Sequence, residues 1–261
     1  MGDISACLDN AVRPNRTPNI RSFPDRRTFI NRLLAELPRF VLDRIAPYLR
    51  PVYLRRDDHI FQAQDGIDYI YFPETAVLSD YQILDDGRTI EIALTGRESA
   101  AGIAAVFGAC RSANWTQVCA AGTALKIESE SFRRLAGRES VVKELFNSRL
   151  NSYIRTISNK VICNTHHSVE ERLCTWLLML EDRCGNDPLK LTQEQIAGVL
   201  GVYRPSVTCI ARGLKELGLI DYSRGKISIA DRTGLIKTAC SCYSEFCGVE
   251  DRSFSRKMAE M

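Results

Sequence analysis

The chain has 261 residues, of which 45% are hydrophobic and 26% charged, with a net charge of +3. That balance suits a globular protein with room for two medium-sized cores and excludes a chain disordered throughout. No run approaches the roughly eighteen uninterrupted apolar residues of a membrane span, and so small a net charge leaves any nucleic-acid role to local charge distribution.

Residues 1–24 hold Asn10, Asn15, Asn19, Pro14, Pro18 and Pro24 among scattered arginines without a hydrophobic period, so a mobile arm is expected. Asp3, Asp9, Arg13 and Arg16 interrupt any apolar core of a secretory signal, which points to a cytoplasmic location. In that setting the ten cysteines are read as reduced thiols, not as a disulfide framework.

A sensory domain is expected over 25–137. Phe29, Leu33, Leu34, Leu37, Phe40, Val41, Ile45 and Leu49 recur at helical spacing, with Pro38 and Pro47 as breaks, and form a helical lead-in. Short β-type runs follow at 52–54, 59–61, 69–72, 76–83, 89–94, 116–120 and 124–128, separated by turn signals such as Asp85-Asp86-Gly87. Many short strands of this kind indicate an antiparallel β-roll. The alternation from Tyr81 to Ile92 around the Asp-Gly turn is its clearest hairpin.

The segment 138–166 reads as a long helix with a hinge at its end. Val142, Phe146, Leu150, Tyr153, Ile157 and Val161 lie on one stripe at steps of three and four, flanked by Leu145, Ile154 and Ile162. Such a helix packs either on its own subunit or on a partner. It spans about 40 Å at 1.5 Å per residue, and the breadth of its apolar surface favours a dimer seam.

A DNA-binding domain is expected over 167–234, and a C-terminal extension over 235–261. Ser168 to Glu171 form a capping box before a helix bearing Leu173, Trp176, Leu177 and Leu180. Thr192 caps a short helix that ends at Gly201, and Pro205 starts a second whose inward stripe is Val207, Ile210, Ala211, Leu214 and Leu217. Two short helices across a glycine turn form a helix-turn-helix, and the residues from Ile220 to Ile229 supply a two-stranded wing. Between 188 and 234 seven basic residues face four acidic ones, a local excess where phosphate would be met. Arg204, Ser206, Thr208 and Cys209 are therefore the candidate base readers. Thr192, Gln193, Arg212, Lys215, Arg224 and Lys226 are the candidate phosphate contacts.

This order of parts, and above all Leu200-Gly-Val-Tyr-Arg-Pro-Ser-Val-Thr208, His167-Ser-Val-Glu-Glu-Arg-Leu173, Trp176-Leu-Leu-Met179 and Tyr71-Phe-Pro-Glu74, resembles the Crp/Fnr family of bacterial transcription regulators from about residue 30 to 230. The resemblance is to a branch without an assigned effector. It implies an α+β chain: an N-terminal antiparallel β-roll of the cyclic-nucleotide-binding type, a dimerisation helix and a C-terminal winged helix-turn-helix. It also implies a homodimer on a two-fold related site of double-stranded DNA, with RNA polymerase as a further partner.

The chain departs from that pattern in two places. Where cyclic-nucleotide-binding members carry a Gly-Glu pair and an Arg followed by Ser or Ala, this chain has Gly102-Ile103 and then Arg111-Ser112, with Arg111 one position out of register. Gly102, Arg111 and Ser112 therefore mark a degenerate effector pocket, and cyclic AMP is not expected there. In the recognition helix, the family's Arg, Glu and second Arg fall on Arg204, Pro205 and Cys209, so the usual half-site is not expected either.

Cys7 alone cannot hold an iron–sulfur cluster. Cys240, Cys242 and Cys247 stand at an irregular spacing, so no metal or cofactor is expected. No phosphate loop, metal-binding His pair or nucleophile motif marks an enzyme. The competing reading is a ligand-binding regulator whose C-terminal domain contacts protein instead of DNA.

Overall fold

A computed structural model describes residues 29–185, 189–223 and 225–251, with backbone alone for 247–251. The expected arm at 1–24 lies outside the described residues. The lead-in comprises α1 (Arg32–Ala35) and α2 (Arg39–Ile45). Buried Asn31 caps α1 by accepting from the Leu34 N–H and donates to the carbonyls of Pro73 and Ser99, 2.8 Å each, which pins the lead-in to the roll.

The roll holds β1 (Arg50–Leu54), β2 (His59–Phe61), β3 (Tyr69–Pro73), β4 (Val77–Ile83), β5 (Thr89–Thr95), β6 (Trp115–Ala120) and β7 (Gly122–Glu128), so every expected strand is present. They pair antiparallel in two sheets, β1-β7-β3 and β2-β6-β4-β5. Alternation points Leu54, Phe61, Leu78, Val118 and Ala124 inward, where they pack into one cluster. The β4–β5 hairpin turns at Gly87, whose φ of +82° suits glycine.

α3 (Ser129–Leu135) leads to α4 (Ser140–His166), a helix of 27 residues. Its first two turns pack inward. Val142, Leu145 and Phe146 are buried in the core shared by the lead-in, β3 and α3. Tyr153 turns into the roll, where its hydroxyl donates to Asp80 at 2.8 Å. The stripe expected to meet a partner thus loses Val142, Phe146 and Tyr153 to the chain's own interior. A helical period defines a face, and it does not say which neighbour that face meets. Leu150 and Ile157 remain half-buried, while Ile154 and Val161 are 52% and 59% exposed. These four recur at steps of four, three and four, a heptad-like apolar stripe rotated from the inward face.

The second core gathers α5 (Val169–Cys184), β8 (Leu189–Lys190), α6 (Gln193–Leu200), α7 (Arg204–Glu216), β9 (Ile220–Ser223), β10 (Lys226–Ile229), α8 (Arg232–Thr238) and α9 (Cys242–Asp251). The extension is part of this core: Leu235 and Phe246 are buried, and α9 packs on α4 and α5.

Candidate nucleic-acid interface

Local rules place the two helices. The Thr192 hydroxyl accepts from the Gln195 N–H at 3.2 Å, and Gln195 Oε1 accepts from the Thr192 N–H at 3.0 Å, closing a capping box on α6. At the other end, Gly201 adopts a φ of +65°, and the Arg172 guanidinium donates to the Leu200 carbonyl. The chain then enters α7 with Pro205 in its first turn, where no intrahelical N–H is lost.

Within α7, Val207, Ala211 and Leu214 are buried. Leu217, expected on that stripe, is 70% exposed, because it is the C-cap residue where the helix has already ended. Off that stripe Ser206, Cys209 and Arg212 face away from it and Arg204 and Lys215 flank it, all five exposed. Thr208 is half-buried and its hydroxyl donates to Gln193 Oε1 at 2.6 Å, so two of the candidate contact residues tie α6 to α7.

β9 and β10 pair antiparallel with Lys226 opposite Ser223, and β8 adds a third strand. Lys226 is exposed beside the wing's turn, whereas Arg224 lies outside the described residues. Lys215 donates to Asp221 Oδ1 at 2.9 Å and to the Tyr222 carbonyl at 3.1 Å. It brackets the wing to α7, and the exposure of both charges keeps that pair weak.

The DNA-binding helices are held against the roll of the same chain. Arg56 donates to Gln195 Oε1 at 2.9 Å, and Gln195 Nε2 donates to Asp57 at 3.2 Å. The Arg88 guanidinium lies 5.7 Å from the centre of the Tyr203 ring. Deeper in this junction, Glu91 on β5 is 2% exposed and accepts from Ser79 (2.8 Å), from Lys160 of α4 (3.1 Å) and from Trp176 Nε1 of α5 (3.1 Å). Arg183 of α5 donates to Glu98 at 2.9 Å. Burial opposes a charge on Glu98, yet the Arg183 guanidinium and the backbone N–H groups of Glu98 and Gly96 hold its carboxyl below the usual range. A cleft of about 530 Å³ lies between the β4–β5 hairpin and α6. Sequence reasoning missed this junction, because its pairs lie far apart along the chain.

The degenerate pocket has its own geometry. Gly102, at a φ of +86°, approaches so close to the Tyr69 carbonyl that a Cβ would sit 2.9 Å from it. Ser112 is buried and donates to the Asn114 carbonyl. Arg111 is exposed and its guanidinium donates to the Gln64 carbonyl at 2.6 Å. Inside the roll stands Asp80, held by Thr116 at 2.6 Å and Tyr153 at 2.8 Å, with its carboxyl pushed up by burial.

A β-roll joined through a long helix to a winged helix-turn-helix defines a DNA-binding regulator. The comparisons agree: the cyclic nucleotide-binding domain model matches residues 51–139, and the Crp-like helix-turn-helix domain model matches residues 171–238. The chain belongs to the Crp/Fnr family of transcriptional regulators. The fold is that of FixK2 from Bradyrhizobium japonicum, with a TM-score of 0.62 at 17% identity over 74% of this chain and 98% of that one. It is also that of a Crp/Fnr-family regulator from Thermus thermophilus, with a TM-score of 0.60 at 19% identity over 73% and 98%. The c-di-GMP-responsive regulator CLP of Xanthomonas campestris gives 0.59 at 13% identity over 73% and 98%. No curated protein matches the sequence significantly. Among the described residues no helix is long and apolar enough to cross a membrane.

Proposed function

We propose that this regulator acts as a homodimer on a two-fold related site of double-stranded DNA, and that its roll answers to an input other than cyclic AMP. The observation that carries the reading is the exposed polar and basic side of α7, opposite its buried stripe and beside Lys226 of the wing. Arg204 at the helix start is the principal base reader, with Ser206, Thr208 and Cys209 beside it. Arg212, Lys226 and Arg224 meet phosphates, joined by Thr192, Gln193 and Lys215 at the edges of the motif. Dimerisation runs through Leu150, Ile154, Ile157 and Val161. The protein works in the cytoplasm by binding alone, catalyses nothing, and has RNA polymerase as a further partner.

Electrostatics weigh against cyclic AMP. A cyclic phosphate entering the roll would find the Arg111 guanidinium already bonded to the Gln64 carbonyl and would meet the half-buried Asp80 carboxyl of β4. Selecting bound fragments from genomic DNA with the purified full chain tests the proposal: a shared motif with two-fold symmetry is expected. Fragments enriched without any common motif would favour the reading in which the C-terminal domain contacts protein.

A further inference from the structure

Four side chains from two distant segments meet where α4 ends. Cys163 lies in the last turn of α4, and His167 follows four residues later as the C-cap residue, its N–H donating to the Cys163 carbonyl at 3.2 Å. Cys240 comes from the connection between α8 and α9, and Cys242 is the first residue of α9. Cys163 Sγ stands 3.6 Å from Cys240 Sγ, and Cys242 Sγ stands 3.5 Å from His167 Nδ1. All four donor atoms lie within 4.8 Å of one another. The three thiols are 4%, 4% and 7% exposed, and the imidazole is half-buried.

The 3.6 and 3.5 Å separations match two edges of one coordination tetrahedron, and the 4.8 Å span bounds the others. Zinc bonds of about 2.3 Å to sulfur and 2.0–2.1 Å to nitrogen set edges of about 3.8 Å between sulfurs and about 3.6 Å between sulfur and nitrogen. An iron–sulfur cluster spreads its thiolates over separate irons and needs wider spacing. A disulfide would use only Cys163 and Cys240 and leave Cys242 and His167 without a reason to converge. Three thiolates and a neutral imidazole around a divalent ion carry one net negative charge, and Arg172, which lines a small hollow beside Cys163, offsets it. Thr175 of α5 touches Cys240 Sγ at 3.0 Å and accepts from its N–H at 3.1 Å, in the way an outer partner orients a ligand.

We propose that Cys163, His167, Cys240 and Cys242 bind one zinc ion in a closed structural site. It fastens the C-terminal segment to the end of the dimerisation helix, at the hinge before the DNA-binding domain. With four protein ligands it leaves no open position for catalysis. It holds the hinge by making α8 and α9 part of the junction.

The test uses the untagged full chain, purified without chelator. Elemental analysis should give one zinc per chain. After removal of zinc with a chelator and a thiol reagent, and reloading with cobalt(II), the chain should show the intense visible bands and near-ultraviolet thiolate charge transfer of tetrahedral cobalt. Cys242→Ser should weaken zinc binding about a hundredfold or more, since it removes a ligand where loss of an outer partner alone costs 10–100-fold. Cys110→Ser, at an exposed thiol, should leave the stoichiometry at one. Three results would overturn the proposal: less than about a tenth of an equivalent after zinc loading, an octahedral cobalt spectrum in the wild-type chain, or full zinc retention in Cys242→Ser. A Cys163–Cys240 disulfide in chains alkylated at lysis, without zinc, would overturn it as well. The cobalt spectrum is read on the wild-type chain, so the outcome does not depend on how a variant folds.

Discussion

Replacing Glu91 by Gln keeps the shape of a side chain on which the roll, α4 and the DNA-binding domain converge, and removes its charge. Lys160 then keeps its own charge without a partner, and an amide N–H₂ is turned toward groups that donate. Breaking a buried ion pair from one side costs about 3–5 kcal/mol. Because the Lys160 side chain retains 12% exposure against 1% for the Glu91 side chain, water recovers part of the loss, and we expect about 3 kcal/mol. At roughly 2–4 °C per kcal/mol for a chain of this size, the thermal midpoint should fall by about 6–12 °C. The assay is thermal unfolding by circular dichroism in a double-mutant cycle with Lys160→Met. Removing both charges leaves neither stranded, so the double variant should cost clearly less than the two single variants added. A fall of under about 2 °C for Glu91→Gln, or simple additivity in the cycle, would show that the pair does not hold the junction.

Leu150→Glu with Ile157→Glu sets like charges against each other in the seam, so the double variant should sediment as a monomer; an unchanged species would move the interface elsewhere. Titration calorimetry with cyclic AMP at about 100 times a micromolar Kd should show no binding heat, and micromolar affinity would contradict the account of the roll's interior. Arg56→Ala removes one bond between the roll and Gln195, worth about 1–2 kcal/mol. Amide exchange in α6 should then quicken about 5–30-fold while the inner strands of the roll stay protected, and unchanged exchange would dismiss the Arg56–Gln195 bond as incidental.

What the sequence disclosed was local. Alternation between Tyr81 and Ile92 about an Asp-Gly turn marks β4 and β5, and the order Thr192, Gly201, Pro205 marks α6, its turn and α7. What it withheld depends on pairs remote in the chain. Tyr153 and Phe146 sit on the same helical stripe as Ile157, and only the roll folding alongside decides that the first two turn inward. Arg111 is out of register already in the sequence, but that its guanidinium donates to the Gln64 carbonyl is visible only in the fold. Cys240 and Cys242 look irregular in sequence because their partners stand 77 and 75 residues away. A sequence signal existed: Cys163 and His167 are spaced to share one side of a helix end, as metal-ligand pairs are.

If the outer side of α7 reads sequence while the wing grips the backbone, the two surfaces must respond differently to base changes and to salt. A competition titration of the wild-type chain, Arg204→Ala and Lys226→Ala against a selected site and scrambled DNA, at several salt concentrations, tests this most directly. Arg204→Ala should lose about 1–3 kcal/mol of preference at one base pair per half-site, because its guanidinium can bond one guanine in two places. Lys226→Ala should weaken all sequences alike and reduce the salt slope by about one unit for each phosphate it no longer neutralises. Full discrimination by Arg204→Ala, or a changed base preference with an intact salt slope in Lys226→Ala, would contradict the account.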